Sequence, residues 1–186
     1  MKRYLLLIIS LLPFISSDGR QPQRGYRGFL EWSNDLTTTA SIDGKNSMST
    51  FYTGFSTSHG YQVNSWLFAG AGLEYEHCSK IDSNILAPFL HGRTDLKFGS
   101  FTPYGDIRLG YNLAGGGGVF FSPNVGYRFN WGRKTGINIG AGVSVTGYKV
   151  EIFDIGITPD GYMTFEKTGE NHRCKLFFSF RIGFDF

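Results

Sequence analysis

The chain has 186 residues, enough for one domain, and its Lys and Arg side chains exceed Asp and Glu by only 3. This small balance lacks the charge excess of a nucleic-acid-binding protein. The 26 Gly, the 17% of aromatic residues and the lack of an apolar run of about 20 residues argue against a protein that crosses a membrane with helices.

The N-terminal residues have the layout of a secretory signal peptide. Lys2 and Arg3 precede an apolar run over residues 4–15, which is too short to span a membrane, and two serines follow it. We therefore expect a signal peptide over residues 1–17 and a short periplasmic leader over residues 18–25. A buried N-terminal strand or helix is the alternative reading of the same run.

From residue 26 onwards, apolar residues alternate with polar, charged or small ones, as in strands whose two faces meet different environments. Segments rich in Gly, Ser, Asn and Asp, which favour turns and loops, separate these alternating stretches. In chain order, the alternation predicts eight strands, over residues 26–33, 48–62, 66–76, 86–97, 102–112, 119–130, 135–146 and 175–186.

The predicted connections alternate between long and short. This alternation matches the long external loops and short periplasmic turns of outer-membrane barrels, with both termini on the periplasmic side. The longer or looser loops are 34–47, 77–85, 114–118 and the segment before the last strand, and the tight turns are 63–65, 98–100 and 132–134.

The last predicted strand shows its two faces most clearly. One face is apolar at every position up to the terminal aromatic, whereas the other carries Arg181 and Asp185. A strand that crosses a bilayer needs roughly 9–11 residues, with apolar side chains outward and polar ones inward. The apolar face of this strand consists of Leu176, Phe178, Phe180, Ile182, Phe184 and Phe186.

These patterns predict an all-β protein, an eight-stranded antiparallel transmembrane up-and-down β-barrel over residues 26–186. They place it in the outer membrane of a Gram-negative bacterium after removal of the signal peptide. A soluble sandwich or lipocalin-like barrel would instead carry its aromatic residues inside and its charges outside. It would also have no reason to separate long loops from short turns.

Charged residues share a strand face with glycines, opposite the apolar face. The interior of a barrel of about eight strands is only wide enough for side chains to fill it. Acids and arginines there would neutralise one another as ion pairs and leave little room for a pore. On a water-facing sheet the same residues would be an ordinary solvated face. The predicted structural polar network of the lumen is Glu31, Glu74, Glu76, His91, Arg93, Asp95, Asp106, Arg108, Arg128, Arg181 and Asp185.

Five motifs lie along the predicted barrel: Tyr26-Arg27-Gly28-Phe29, then Ser58-His59-Gly60-Tyr61-Gln62, Phe68-Ala69-Gly70-Ala71-Gly72 and Phe121-Ser122-Pro123, and finally Ile182-Gly183-Phe184-Asp185-Phe186. On these motifs, the chain from about Gly25 to its end resembles the small outer-membrane β-barrel proteins of Gram-negative bacteria. Most of that group have no assigned activity, so the resemblance implies fold and compartment rather than function. It also implies that the barrel-assembly machinery reads the terminal Phe186.

The leading hypothesis for function is a structural and surface-interaction role, in which the barrel sits in outer-membrane lipid and presents extracellular loops to a protein or glycan partner. One alternative is a lipid-modifying enzyme at the outer rim, where His77 and Ser79 lie close to Glu76. The other is a narrow pore or the binding of a small solute. We assign no catalytic residue and no cofactor, and the four His and two Cys residues lack metal-ligand spacing.

Cys78 and Cys174 are an even pair in an exported chain and therefore a disulfide candidate. They lie on the third and the last predicted strands, which are not neighbours in the barrel. A bridge needs Cα atoms within about 7 Å, which bending loops could supply across a narrow mouth. The sequence leaves this pairing open.

The segment 149–173 contains a Thr-Pro-Asp-Gly stretch, at 158–161, with the composition of a tight turn. If this turn sets Ile157 opposite Tyr162, Ile137 lies opposite Ile182. The same register sets Lys149 opposite Glu170.

We predict that the last two strands continue past the bilayer as a protruding hairpin. Its unpaired backbone edge could accept a partner strand, and the predicted partner edge is Val150, Ile152, Tyr162 and Phe165. The alternative is a loop in which glycines interrupt the ladder.

Overall fold

The computed structural model describes residues 24–39, 48–78, 80, 82–96, 101–113, 117–131, 135–157 and 163–186. No described segment forms a helix that could span a membrane. The described residues form eight strands, β1 (Gly25–Thr39), β2 (Met48–Gln62), β3 (Leu67–Cys78), β4 (Ser83–Asp95), β5 (Phe101–Asn112), β6 (Gly118–Trp131), β7 (Thr135–Ile157) and β8 (Met163–Asp185).

Each strand pairs antiparallel with the next along the chain, and β8 pairs with β1 to close the barrel. The closing seam includes the last residue, because Gly28 N donates to Phe186 O at 2.8 Å and Phe186 N donates to Gly28 O at 3.0 Å. The predicted fold, a closed eight-stranded antiparallel barrel, is confirmed.

Side chains alternate between the lumen and the exterior, and the exterior is apolar. Val125 is 70% exposed, Leu90 64% and Phe55 63%. An apolar outer surface on a closed barrel suits the hydrocarbon core of a bilayer, which only helices and closed barrels can cross. Among barrels that span a membrane, single chains with an even number of antiparallel strands are typical of bacterial outer membranes. The predicted outer-membrane location is confirmed.

Several strands are longer than predicted, because polar residues and a glycine at their ends were assigned to loops. Residues 34–39 lie in β1, residues 77–78 in β3, residues 83–85 in β4 and Gly118 in β6. In β1 the inward positions Asp35 and Thr37 are buried. A strand with a polar lumen on one side resembles a loop in composition, so composition misplaced its end.

Other predictions concern residues outside the described ranges. They are the signal peptide over 1–17, most of the leader over 18–25, the turns 98–100 and 132–134, the centre of the loop 114–118, the turn 158–161, Ser79 and Tyr162.

The long hairpin of β7 and β8 is present, but its predicted register was wrong. Both strands have 23 residues. Ile137 pairs with Phe184 rather than Ile182, and Lys149 pairs with His172 rather than Glu170. The ladder continues through the glycines of this segment, so it is not the interrupted loop.

Two local features account for the two-residue error. Ile157 pairs with Met163 instead of Tyr162, which lengthens the connection by one residue. A bulge next to Ile152 then leaves Thr168 without a paired position on β8. A shift of two residues preserves the alternation of faces, and so the predicted outward side chains of both strands remain outward.

Glycines on the inner face make room for large side chains. A Cβ at Gly70 would lie 2.6 Å from the Phe68 ring, and one at Gly140 would lie 2.4 Å from the Tyr104 hydroxyl. Both distances are shorter than those that real Cβ atoms keep from other heavy atoms, so these positions require glycine. Buried aromatic rings, among them those of Phe68 and Tyr104, therefore share the lumen with the charged network, whereas charged residues and glycines were predicted there.

Candidate functional site

The lumen is the region where chemistry-bearing side chains meet. The eleven residues predicted for its polar network are all buried there. Arg27 and Asp35 are buried beside them and were missing from that prediction. The inward parity of Arg27 in β1 was the signal that could have identified it, whereas Asp35 was assigned to a loop. The buried acids are Glu31, Asp35, Glu74, Glu76, Asp95, Asp106 and Asp185, and the buried arginines are Arg27, Arg93, Arg108, Arg128 and Arg181.

The inner half of the lumen contains a continuous ion-pair network, the inner network, made of Arg27, Arg93, Arg128, Asp95 and Asp185. Arg27 reaches Asp95 at 2.5 Å and Asp185 at 3.2 Å. Arg93 pairs with Asp95 at 2.9 Å, and Arg128 with Asp185 at 2.7 Å. Each carboxylate thus bridges two guanidinium groups, an arrangement that offsets much of the cost of burying the charges.

Amides and an aromatic ring complete the inner network. Gln62 accepts a hydrogen bond from Arg27 at 2.8 Å. Asn138 accepts one from Arg93 at 2.7 Å and donates one to Asp185 at 2.9 Å. The Arg93 guanidinium also lies 3.6 Å from the centre of the Tyr104 ring, a cation–π contact. These contacts fill the inner half of the lumen with side chains.

Two further arginines lie midway through the barrel. Arg108 pairs with Glu31, donates to Ser56 at 3.0 Å and lies 3.7 Å from Glu74. Arg181 donates to Ser122 at 2.9 Å and lies 3.7 Å from Asp106. This layer therefore combines one close ion pair, Arg108–Glu31, with two longer ones.

His91 lies next to this layer. Its Nδ1 is 2.8 Å from Ser58 Oγ, and the rings of Phe29, Phe68 and Phe89 surround it at centroid distances of 5.2, 5.3 and 6.2 Å. Buried among aromatic rings, it has the surroundings of a packed structural histidine.

The outer half of the lumen contains a small cavity, the outer chamber. Three carboxyl groups line it, from Asp35, Glu74 and Glu76, together with the single guanidinium of Arg181. The space open to the centre of a water molecule is about 20 Å³, which holds about one water. Within the described part of the chain, Asp35 Oδ1 and Glu74 Oε1 have no hydrogen-bond partner.

An apolar collar lies at the outer end of the lumen. Tyr52, Cys78 and Phe177 pack together there with Ile85. The Lys175 ammonium lies 5.3 Å from the Tyr52 ring centre and 5.2 Å from that of Phe177. Ile85 and Phe177 also line the outer chamber, so the collar and the chamber are contiguous.

The two cysteines are free. Cys78 is buried and Cys174 is exposed. Cys78 has the inward parity of Glu76, and Cys174 has the outward parity of Leu176, so the barrel wall separates the two thiols. The disulfide that the sequence left open is therefore not formed.

The two described residues that were considered for an enzyme at the rim, Glu76 and His77, lie on opposite faces of β3. Glu76 is buried in the lumen, where Ser33 donates a hydrogen bond to it at 3.2 Å. His77 is on the outer face, with Nδ1 2.9 Å from Asn84 Oδ1. Among the described residues, no group of three His, Cys, Asp or Glu side chains could hold a metal ion.

His59 and the terminal Phe186 meet on the outer face beside the closing seam. His59 Nδ1 is 2.6 Å from the Tyr26 hydroxyl and Nε2 is 3.0 Å from the Thr57 hydroxyl. The Phe186 ring lies 6.3 Å from the His59 ring and covers Gly28, where a Cβ would lie 2.7 Å from the phenyl ring. His59 thus has partners for both ring nitrogens and is a hydrogen-bonded side chain of the outer face.

No family model matches the sequence, and a search of curated proteins finds no match. Solved structures do match the fold. Neisserial surface protein A is 12% identical, with a TM-score of 0.57, and the match covers 86% of this chain and 95% of that one. The outer membrane protein OprG from Pseudomonas aeruginosa is 13% identical, with a TM-score of 0.48 and 90% and 96% covered. The KdgM porin is 12% identical, with a TM-score of 0.29 and 87% and 98% covered.

At these identities, the likeness to the neisserial protein concerns the fold, and it agrees with the closed eight-stranded topology found here. The apolar exterior, the charged lumen and this likeness lead to one conclusion. The chain has the fold of the eight-stranded outer-membrane β-barrels of Gram-negative bacteria, as its sequence motifs predicted.

Proposed function

We propose that the protein is a membrane anchor with a sealed inner lumen, whose β7–β8 hairpin binds an extended segment of an extracellular protein by strand addition. The observation that carries this proposal is the height of the hairpin. The last β7 residue paired with β6 is Thr146, and the last β8 residue paired with β1 is Phe177. The two strands pair with each other as far as Ile157 and Met163.

Among the described strands, none pairs with the outer edge of residues 147–157 or with that of residues 163–176. At about 3.3 Å per residue, the first of these runs is roughly 35 Å long. Unpaired backbone groups on a long edge are a template for another strand, and strand addition uses those groups for affinity. Val150, Ile152 and Phe165 of the partner edge predicted from the sequence are paired residues of this hairpin.

The contents of the lumen favour an anchor over a pore. The inner network fills the inner half of the barrel with paired side chains, and the free space found in the outer half holds about one water. The separation of Glu76 from His77 removes support for the rim enzyme. In planar bilayers we therefore expect no steady channel of defined size.

The binding proposal can be tested with two hairpin variants. In the first, Asn-Gly replaces residues 150–171 and joins the paired residues Lys149 and His172 by a turn suited to a two-residue hairpin. In the second, Asn-Gly replaces only residues 158–162, so both long edges remain. Cells that carry each variant would be tested for binding to immobilised extracellular proteins and glycans.

Both variants should migrate faster unboiled than boiled on gels, because the barrel wall is unchanged. The short-hairpin variant should lose protein binding, and the tip variant should keep it. Binding that survives removal of the hairpin would contradict the proposal, as would binding to glycans only.

A second proposal concerns biogenesis. A signal peptide over residues 1–17 would direct export, and the barrel-assembly machinery would read Phe186. The position of Phe186 beside the closing seam supports this role, because a segment read during assembly should be the one that completes the barrel. Substitution of Phe186 by Ala should lower the amount of folded protein in the outer membrane, whereas substitution by Tyr should not.

A further inference from the structure

Above the bulge next to Ile152, the β7–β8 hairpin has one apolar face. β7 alternates without interruption, so its odd-numbered residues stay on the outer face, which is continuous with the lipid-facing wall below. The outer-face positions above the bulge hold apolar residues with one exception, a lysine. They are the pairs Phe153–Lys167, Ile155–Phe165 and Ile157–Met163. These pairs begin seven residues beyond Thr146, the last β7 residue paired with β6.

The inner face of the same part carries an acid pair whose neighbours in the ladder are uncharged. Asp154 lies directly opposite Glu166. Like charges directly opposite each other on a sheet are destabilising, and a basic residue diagonal to them would offset this cost. The two adjacent pairs on this face contain no basic residue; they are Ile152–Gly169 and Gly156–Thr164.

A second acid pair, lower on the hairpin, differs in this respect. Glu151 lies opposite Glu170 on the outer face, and the next pair below on that face is Lys149–His172. Diagonal neighbours on one face are within reach of long side chains. The lower acid pair thus has basic residues beside it in the ladder, whereas beside Asp154 that place is open to a partner strand.

The two edges of the hairpin are not equally suited to a partner. The bulge places an extra residue, Thr168, in β8, next to Lys167. Bulges and lysines are features that protect edge strands from the addition of another strand. β7 passes the same level with consecutive pairing, and its other edge over residues 153–157 pairs with no described strand. Since a two-stranded ribbon is marginally stable alone, a third strand on this edge would stabilise it.

We infer that the partner strand adds to the β7 edge over residues 153–157 and that it alternates apolar with basic residues. This inference rests on the proposed strand addition and specifies the chemistry of the partner. Residues at one level of adjacent strands share a face of the sheet. An added strand therefore places apolar residues beside Phe153 and Ile155, and a lysine or arginine beside Asp154. A strand that alternates apolar with acidic residues would instead add a third like charge to the acid pair.

Synthetic peptides test this partner on the full barrel in a non-ionic detergent. One peptide alternates Val and Lys, another alternates Val and Glu, and a third has the Val–Lys composition in blocks of two. By fluorescence anisotropy, the Val–Lys peptide should bind about tenfold more tightly than the Val–Glu peptide, because opposite charges attract across a ladder and like charges repel. The block peptide should bind more weakly than the Val–Lys peptide, since it does not keep one residue type on each face. The short-hairpin variant should bind none of the three.

Paired substitutions test the role of the acid pair. Asp154→Asn combined with Glu166→Gln should make the two alternating peptides bind equally. The matched control is Glu151→Gln combined with Glu170→Gln, which removes the same charge from the outer face and should keep the preference for the Val–Lys peptide. An equal loss of preference in both double variants would overturn the inference, because the general charge of the hairpin would then account for it.

Disulfide capture distinguishes the two edges, in the Cys174→Ser background. Gly156 and Thr164 are a cross-strand pair, so a cysteine at either position lies at the same level. Neighbouring strands lie about 4.8 Å apart, and a disulfide needs Cα atoms within about 7 Å. A Val–Lys peptide in which one Lys is replaced by a Cys activated as a mixed disulfide should therefore be captured by Gly156→Cys. Capture by Thr164→Cys instead would overturn the assignment to β7.

Two outcomes separate this inference from the proposal on which it rests. If the Val–Glu or the block peptide binds the wild type as tightly as the Val–Lys peptide, and the short-hairpin variant loses this binding, the inference is overturned and strand addition stands. If no alternating peptide binds the wild type, or if the short-hairpin variant binds them equally well, strand addition itself fails and the inference fails with it.

Discussion

The inner network and the outer chamber are built from the same residue types on the same face of the same barrel wall, yet their charges are arranged in opposite ways. In the inner network, Asp95 and Asp185 each bridge two arginines. In the outer chamber, Asp35 forms no ion pair among the described residues, and Glu74 lies 3.7 Å from Arg108. One oxygen of each has no hydrogen-bond partner in the described chain, and both side chains line a small space. The ratio of guanidinium to carboxyl groups is what differs.

This difference shows that burial of charge has two outcomes inside one narrow barrel. Where each carboxylate has two guanidinium partners, the paired side chains plug the lumen. Removal of one carboxylate there would leave its guanidinium partners without a counter-charge. Where acids are in excess, replacement of Asp35 by its amide removes a buried charge that no ion pair among the described residues compensates. The comparison predicts opposite responses to the same substitution at the two ends of the lumen.

The largest effect should come from Asp95→Asn in the inner network. The substitution leaves Arg27 and Arg93 without a shared counter-charge, and it should lower the free energy of unfolding by about 3–5 kcal/mol. The midpoint of urea unfolding in detergent micelles measures this. The matched Asp35→Asn variant should be at least as stable as the wild type. A similar loss in both variants would mean that the two ends of the lumen do not differ as described.

A smaller effect is expected from crowding the inner face. A Cβ at Gly126 would lie 2.2 Å from the Ile139 carbonyl oxygen and 2.7 Å from the Tyr104 ring, so Gly126→Ala should cost about 1–3 kcal/mol. At Gly147, near the outer end of the barrel, the nearest atom to a Cβ is 3.8 Å away. Gly147→Ala, a glycine substitution on the outer face, is therefore the control and should leave the unfolding midpoint unchanged. Equal stability of both variants would contradict the tight packing of the inner half.

A still smaller effect should follow from Lys175→Gln at the collar. The ammonium lies over the Tyr52 and Phe177 rings, and contacts of this kind contribute about 0.5–1 kcal/mol at partly exposed sites. Thermal unfolding at low and high salt measures the loss. The conservative variant Lys175→Arg should restore the wild-type value. An Arg variant as unstable as the Gln variant would exclude the cation–π contact.

No change in stability is expected for Cys174→Ser, because that thiol is exposed. Thiol labelling of this variant instead tests whether the outer end of the lumen is closed. A maleimide reagent should modify Cys174 in the folded barrel, whereas Cys78, buried in the collar, should react only after unfolding. Rapid labelling of Cys78 in the folded Cys174→Ser variant would show that the outer end of the lumen is open.

Much of this architecture could be predicted from the alternation of apolar and polar residues along the strands. Residues such as Phe178 and Phe180 face lipid whatever their neighbours are, because the parity of a strand sets its two faces. The same parity places Glu74 and Arg181 in the lumen. It also separates Cys78 from Cys174, although that consequence was not drawn from the sequence. The end of β1 was misplaced because an inward Asp or Thr looks like a loop residue when a polar lumen is not yet known.

Strand number, the direction of each side chain and the membrane location therefore follow from the amino-acid sequence, since each depends on local alternation and on the solvent that each face meets. The partners inside the lumen do not. Arg27 and Asp95 are 68 residues apart and belong to β1 and β4, which share no hydrogen bonds in the sheet. Their contact depends on closure of the barrel and on the stagger of every intervening strand pair. A bulge or one extra turn residue changes that stagger, as it did in the β7–β8 hairpin. Only the closed tertiary structure decides which acids are paired and which face the chamber, because the narrow lumen brings together side chains from strands that are not adjacent.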